Sequence, residues 1–208
     1  TRSTGHGVYA VFLVYEGLYA VHPDDHLDRM RSSAALLGQP FPRSNTWLRE
    51  ACRRAVSASG IAAPRIRITV PHDNPECAII AVEPFTPPPA HFYSEGVAVG
   101  LVQHARVFAR AKDSRFTESR AELFRDQPTD VYEVMLYNIA GEILEGASSN
   151  FYGIMDGVLC TADEGVLAGI ARSMLLKAAT QVLPVRLKPI NITDLPYLSE
   201  AMMTSSTR

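Results

Sequence analysis

Glu142-Ile143-Leu144-Glu145-Gly146-Ala147-Ser148-Ser149-Asn150-Phe151 is the stretch on which the reading of this chain turns. It brings a strand to a carboxylate, Glu145, and then to a run of small and polar residues. The segments 151–155 and 158–161 that follow flank Asp156-Gly157, a dipeptide suited to the two positive φ angles of a tight hairpin. Further on, Leu167-Ala168-Gly169-Ile170-Ala171-Arg172 reads as the start of a helix running from Gly169 to about Ala179. A helix start offers unpaired backbone N–H groups and a positive dipole end, which suit a phosphate. Taken singly these signals are weak, because most acids are solvated and most glycine-led helix starts bind nothing. Their order along the chain is what carries weight.

Working outward to the N-terminal side, residues 8–15 (VYAVFLVY) are β-branched and aromatic and predict a strand, followed by a turn at Glu16-Gly17 and a short strand over 18–21. His22-Pro23-Asp24-Asp25 predicts a helix start and Gly38 its stop, with Leu27, Met30, Ala34 and Leu37 on the core face. Ser44 and Asn45 are caps for a second helix that ends near Gly60. Strands are expected over 65–70, 77–82 and 97–103, with the proline-rich run 84–89 as a surface connection. The last of these strands leads up to Lys112. A helix over 118–125 and strands over 131–137, 185–190 and 201–203 complete the expectation. The boundary falls between a small N-terminal domain, 1–105, and a larger domain, 106–208, whose C-terminal part is expected to be missing. Hairpins in both halves, rather than regular βαβ alternation, predict a mixed α/β (α+β) fold and not a Rossmann sheet.

The 208 residues are 47% hydrophobic, enough to bury a core in each of two domains. A net charge of −2 gives no sign of a nucleic-acid partner. Cys52, Cys77 and Cys160 lie far apart, which argues against a disulfide framework or a metal site and fits a cytoplasmic protein. No apolar run reaches the ~18 residues of a membrane span. The N-terminal residues carry neither an initiator Met nor the apolar segment of a signal peptide, so the true start is expected to lie further upstream. Of the 20 basic residues only Lys112, Lys177 and Lys188 are lysines, so chemistry that needs an ε-amine has three candidates. Lys177 sits mid-helix and Lys188 precedes Pro189; Lys112 alone follows a strand toward a candidate site.

The combination Glu-Gly-x-Ser-Ser-Asn-Phe, an Asp-Gly hairpin and a Gly-Ile-x-Arg helix resembles the signature of class IV aminotransferases. His26-Leu27-Asp28-Arg29, Ala111-Lys112-Asp113-Ser114 and Thr204-Ser205-Ser206-Thr207 resemble further segments of that family, in the family's order and across nearly the whole chain. The resemblance implies a two-domain type IV pyridoxal-phosphate enzyme fold, with a small N-terminal α/β domain and a larger, barrel-like C-terminal α/β domain. It also implies pyridoxal 5'-phosphate as cofactor, an amino acid and a 2-oxo acid as small-molecule substrates, and a homodimer.

Residue by residue, the resemblance implies that Lys112 forms the Schiff base with the cofactor and shuttles the proton. A lysine does both when desolvation and a nearby cation lower its pKa. Glu145 would face the pyridine nitrogen and keep it protonated. Arg29 would bind the cofactor phosphate, joined by the backbone of Gly169, Ile170 and Ala171 and by Ser205 and Ser206. Ser149 and Asn150, inside the signature, would join the cofactor contacts. Tyr9, Arg67 and His72 are the candidates for substrate recognition. The family often has Thr where this chain has Ala171, and its usual Tyr or Asn after the lysine is replaced by Arg115, Phe116 or Thr117. A lyase resembling aminodeoxychorismate lyase uses the same residues. A catalytically idle cofactor-binding protein and a generic anion-binding module are the remaining alternatives.

Overall fold

Strand β1 (Gly7–Tyr15) buries Val8, Ala10, Phe12 and Val14 while the residues between them face outward, the alternation of a strand with one face on a core. The computed structural model describes residues 6–15 and 18–207, so the expected Glu16-Gly17 turn lies outside the described residues. β1 pairs antiparallel with β2 (Tyr19–Ala20) on one side and with β3 (Pro64–Pro71) on the other. β4 (Ile79–Pro84) joins β3 to give the order β2-β1-β3-β4.

Helix α1 (Pro23–Leu36) begins at the expected proline, with His22 before it in a left-handed conformation. Helix α2 (Asn45–Ser59) is capped by Ser44, whose side chain accepts from the Trp47 N–H, and ends at Gly60 with φ 67°. The two helices bring Leu27, Met30, Ala34, Leu48, Cys52 and Val56 onto the buried residues of β1 and β3.

β4 begins two residues later than expected because Cys77 is turned back, its N–H donating to the Asn74 carbonyl. Pro84 ends that strand instead of opening the following connection. On an edge strand a residue without an N–H is tolerated.

Among the described residues the second sheet has eight strands. β5 (Val99–Gln103) runs parallel to β6 (Glu133–Tyr137), and β6, β7 (Glu142–Gly146), β8 (Asn150–Met155) and β9 (Val158–Cys160) follow as antiparallel neighbours. β8 and β9 are joined by Asp156 (φ 51°) and Gly157 (φ 74°), the two left-handed residues the hairpin demands. β10 (Val185–Arg186) lies parallel to β9, β11 (Ile190–Asn191) pairs with β7, and β12 (Glu200–Thr204) pairs with β8. The single strand expected over 185–190 is thus two, interrupted at Lys188-Pro189. A 3-10 helix (Ile192–Tyr197) and a short helix α3 (His91–Ser94) were not foreseen from the sequence. Helix α4 (Arg115–Leu123) follows the lysine segment and α5 (Ile170–Ala179) follows Gly169. The mixed α/β expectation holds. Among the described residues the larger sheet does not close into a ring, and no helix is long and apolar enough to cross a membrane.

Two compact units emerge among the described residues. One takes the chain up to Pro87, the segment Ala111–Glu118 and Thr207; the other takes Pro88–Arg110 and Ser119–Ser206.

Candidate active site

In the first unit, the segment 112–114 is fastened to the free half of β1. Val8 and Asp113 form an antiparallel bridge. The Tyr9 N–H donates to the Lys112 carbonyl (3.1 Å), and the Ser114 N–H donates to the Gly7 carbonyl (3.0 Å). The Gly7 N–H returns a bond to Ser114 Oγ at 2.9 Å. The Lys112 N–H donates to Ser33 Oγ (3.0 Å), and that hydroxyl donates to the Arg29 carbonyl (2.8 Å). Ser33, fully buried, therefore ties the Lys112 backbone to the helix turn that carries Arg29.

The side chains gather on Tyr9. The Arg67 guanidinium lies 4.1 Å and Lys112 Nζ 4.8 Å from its ring centroid. Thr117 Oγ1 donates to the Tyr9 hydroxyl at 3.3 Å. Burial lowers the Arg29 pKa to about 10, against which the charge of Tyr9 acts. His26 lies against the Phe12 ring, 5.1 Å between centroids. Burial, assisted by the charges of Arg29, Lys112 and His22, pushes its imidazole down to about 3, so it is neutral near pH 7. Three cations thus share one neighbourhood in this unit, a setting for an anion.

Of the substrate candidates, the structure brings Tyr9 and Arg67 together with Lys112. Arg65, two residues from Arg67, goes to Glu83 instead (2.7 Å) in a partly exposed ion pair. His72 is engaged elsewhere: its Nδ1 stands 2.6 Å from Gln39 Oε1 and its Nε2 3.3 Å from Asp113 Oδ2. Burial acts to raise the Asp113 pKa, but hydrogen bonds from Arg115 and His72 outweigh it and hold the carboxyl below its usual range.

In the second unit, Glu145 and Asn150 face each other across the β7–β8 ladder. Glu145 is buried. Arg106 Nη1 donates to its Oε1 (2.8 Å) and the Leu167 N–H donates to its Oε2 (2.8 Å). Asn150 Nδ2 donates to the carbonyl of the same Leu167 at 3.0 Å. The cross-strand pair therefore grips one residue on both its backbone groups, three residues ahead of the start of α5. Gly169, the N-cap of α5, has ordinary extended angles (φ −69°, ψ 139°), so its requirement is space: an added Cβ would overlap Asn150 Oδ1. Ile170 is buried and Ala171 half-buried in the first turn, and among the described residues no side chain caps this helix start.

Thr204 pairs with Asn150 in the β8–β12 register, so Ser205 and Ser206, both half-buried, leave the sheet beside that residue. Tyr152 Oη and Thr204 Oγ1 lie 2.9 Å apart, and burial raises the phenol pKa. Ser149 is buried and donates to Glu133 Oε2 at 3.2 Å. Arg106, Glu133, Ser33 and His26 are therefore functional candidates that sequence reasoning passed over. Only His26 had a signal there, as the first residue of the segment that ends on Arg29.

This fold and these two residue sets define a class. The chain belongs to the class IV aminotransferase family, whose model matches residues 7–208. The D-alanine aminotransferase of Listeria monocytogenes is 27% identical over 231 aligned positions, which cover 98% of this chain and 75% of that protein. The branched-chain amino acid aminotransferase of Escherichia coli superposes with a TM-score of 0.82 at 23% identity, over 99% of this chain and 74% of that one. A protein assigned as a 4-amino-4-deoxychorismate lyase has a TM-score of 0.81 at 24% identity, over 99% of this chain and 82% of that one. The likeness in fold is thus shared by aminotransferases and by a protein assigned as a lyase. Another branched-chain aminotransferase of this fold is solved with pyridoxamine 5'-phosphate, and the family fits pyridoxal phosphate as the cofactor.

Proposed function

We propose that this chain is a pyridoxal-phosphate-dependent aminotransferase that moves an amino group between an amino acid and a 2-oxo acid, with Lys112 as the amine that carries the cofactor. The observation that supports it best is the placement of Lys112 Nζ at the Tyr9 ring beside Arg67, on a backbone held by Ser33 and Tyr9. The donor set fits the cofactor. Its phosphate is an anion, for which the chain offers Arg29, the backbone N–H groups of Ile170 and Ala171, and Ser205 and Ser206. Its pyridine nitrogen needs an acceptor, and Glu145 is a buried carboxylate held from both oxygens. Ser149 and Asn150 belong to the same hairpin and complete the cofactor set.

When bound, the cofactor supplies an electron sink for the substrate α-carbon. The residues supply the rest. Lys112 Nζ would hold the cofactor and, as a free amine, would take the substrate α-proton and give it back. Glu145 would face the ring nitrogen and favour its protonated form. Arg67 would offer a planar fork to a substrate carboxylate, with Tyr9 beneath it as a wall. The reading includes a homodimer in the cytoplasm, and light scattering tests the dimer.

The deciding experiment is the absorbance spectrum of the purified protein with added pyridoxal phosphate, before and after borohydride, followed by peptide mapping. A visible band that reduction converts to a stable adduct on the Lys112 peptide is expected. Absence of band and adduct removes the reading. D-alanine and branched-chain amino acids are the first donors to offer, and formation of a new amino acid rather than pyruvate alone separates transamination from lyase chemistry.

A further inference from the structure

The turn that follows Glu145 is built around a second acid. Glu133, on β6, has no exposed surface. Its Oε1 accepts from the Val134 N–H at 3.0 Å. Its Oε2 accepts from the Ser148 N–H (3.2 Å), Ser148 Oγ (2.5 Å) and Ser149 Oγ (3.2 Å). Four donors from two chain segments converge on one carboxylate, which is an acceptor at every position.

The turn closes on it tightly. The Gly146 N–H donates to the Ser149 carbonyl and the Ala147 N–H to the Val134 carbonyl, both at 2.8 Å. An added Cβ at Gly146 would overlap Ser149 Oγ and come within 3.1 Å of Glu133 Cγ, so glycine is what lets the turn wrap the acid. The two residues that flank this turn, Glu145 and Asn150, are the ones that grip Leu167 ahead of α5.

We propose that Glu133 is a positioning residue for the cofactor site: its carboxylate shapes Gly146–Ser149, which sets the Glu145–Asn150 pair, which in turn aims the first amides of α5. The functional half of this inference rests on the aminotransferase reading; the structural half does not. A group that fixes the residues which touch a ligand governs affinity without touching it.

Glu133→Gln in the full chain tests it. The amide brings donors of its own to a place where donors already converge, so at least one serine or backbone N–H loses its acceptor. Amide hydrogen exchange is expected to quicken over 146–150 and also over 167–171. Quickening confined to 146–150, or none at all, overturns the coupling. Pyridoxal phosphate titrated by absorbance is expected to bind about ten-fold more weakly, in a cofactor-free protein whose melting temperature falls by the few degrees that a lost buried acceptor costs. Unchanged cofactor affinity alongside quickened exchange in both segments overturns the functional half.

Ser148→Ala, which spares the acid, is expected to reproduce part of both effects and to add little to Glu133→Gln when combined; fully additive losses would break the proposed chain. If Glu133→Gln does not fold, Ser148→Ala carries the same two readouts. A wild-type protein that binds no pyridoxal phosphate defeats the aminotransferase reading, while hydrogen exchange still judges Glu133.

Discussion

Arg106 Nη1 lies 2.8 Å from Glu145 Oε1 in an ion pair whose side chains are 9% and 3% exposed. The Leu167 N–H on the other oxygen completes a hold that fixes the carboxylate in one orientation, and a carboxylate has lone pairs beyond those two bonds. Such a pair is expensive to bury and more expensive to break from one side, because the surviving charge is left in a place that water does not reach. Glu145 thus depends on a partner 39 residues away in sequence.

Arg106→Met is therefore expected to cost about 3 kcal/mol of stability, by the magnitude for a buried pair cut on one side. Urea unfolding monitored by tryptophan fluorescence and by circular dichroism checks it. Replacing both partners, as in Arg106→Met with Glu145→Leu, should recover a large part of the loss. A cost under about 1 kcal/mol for the single change would mean that the pair behaves like an exposed one.

Ser33 offers a second test, on the lysine side. Ser33→Ala removes the acceptor of the Lys112 N–H and the donor to the Arg29 carbonyl together. Leaving a buried N–H unsatisfied costs about 1–3 kcal/mol. The expected outcome is that loss of stability together with weaker pyridoxal phosphate binding, because Lys112 and Arg29 lose their common tie. Titration at fixed temperature measures the second effect, and unaltered binding would show that β1 alone holds Lys112.

Local pattern was enough to read most of the elements. β1 follows from alternating Val8, Ala10, Phe12 and Val14; α2 follows from Ser44 and Gly60; the β8–β9 turn follows from Asp156-Gly157. Glu145 and Lys112 stood out because the class IV signature is itself a local string. What stayed hidden are the partners that only folding brings near. Nothing around Arg106 distinguishes it from the other arginines, since its role exists only once β7 has taken its place. Ser33 reaches Lys112 across 79 residues, and Glu133 reaches Ser148 across 15 by strand register. The break between β10 and β11 was legible in principle, because Pro189 cannot donate to a ladder.

Gly169 gives a prediction about space. Gly169→Ala asks for no unusual backbone angle, yet its methyl would overlap Asn150 Oδ1 and disturb the bond from Asn150 to the Leu167 carbonyl. The change is expected to destabilise by about 1–3 kcal/mol, the range for overpacking, and to weaken the cofactor binding proposed for the start of α5. Asn150→Ala relieves the clash, so the double variant should lose less than the sum of the singles. A double-mutant cycle on unfolding free energy reads this, and strict additivity would mean that the two residues do not meet.

His26 makes stability depend on acid in a window that can be worked out. Its imidazole, ordinarily near 6.5, is pushed to about 3 in the folded protein by burial and by the positive charges of Arg29, Lys112 and His22. Above pH 6.5 neither the folded nor the unfolded chain protonates it, and it contributes nothing to the pH dependence. Below 6.5 the unfolded chain takes up a proton that the folded chain refuses, so stability falls with pH until the folded value near 3 is reached. The slope is about 1.4 kcal/mol per pH unit at most, so roughly 2–3 kcal/mol is lost between pH 6.5 and pH 4.5. The Asp113 carboxyl, held below its usual range, adds its own loss only at more acid pH. His26→Gln, which cannot titrate, is expected to flatten the profile between pH 6.5 and 4.5 even if it lowers stability at pH 7. Unfolding midpoints at the two pH values, for both proteins, decide it: an equal acid loss in the variant would place the sensitivity elsewhere.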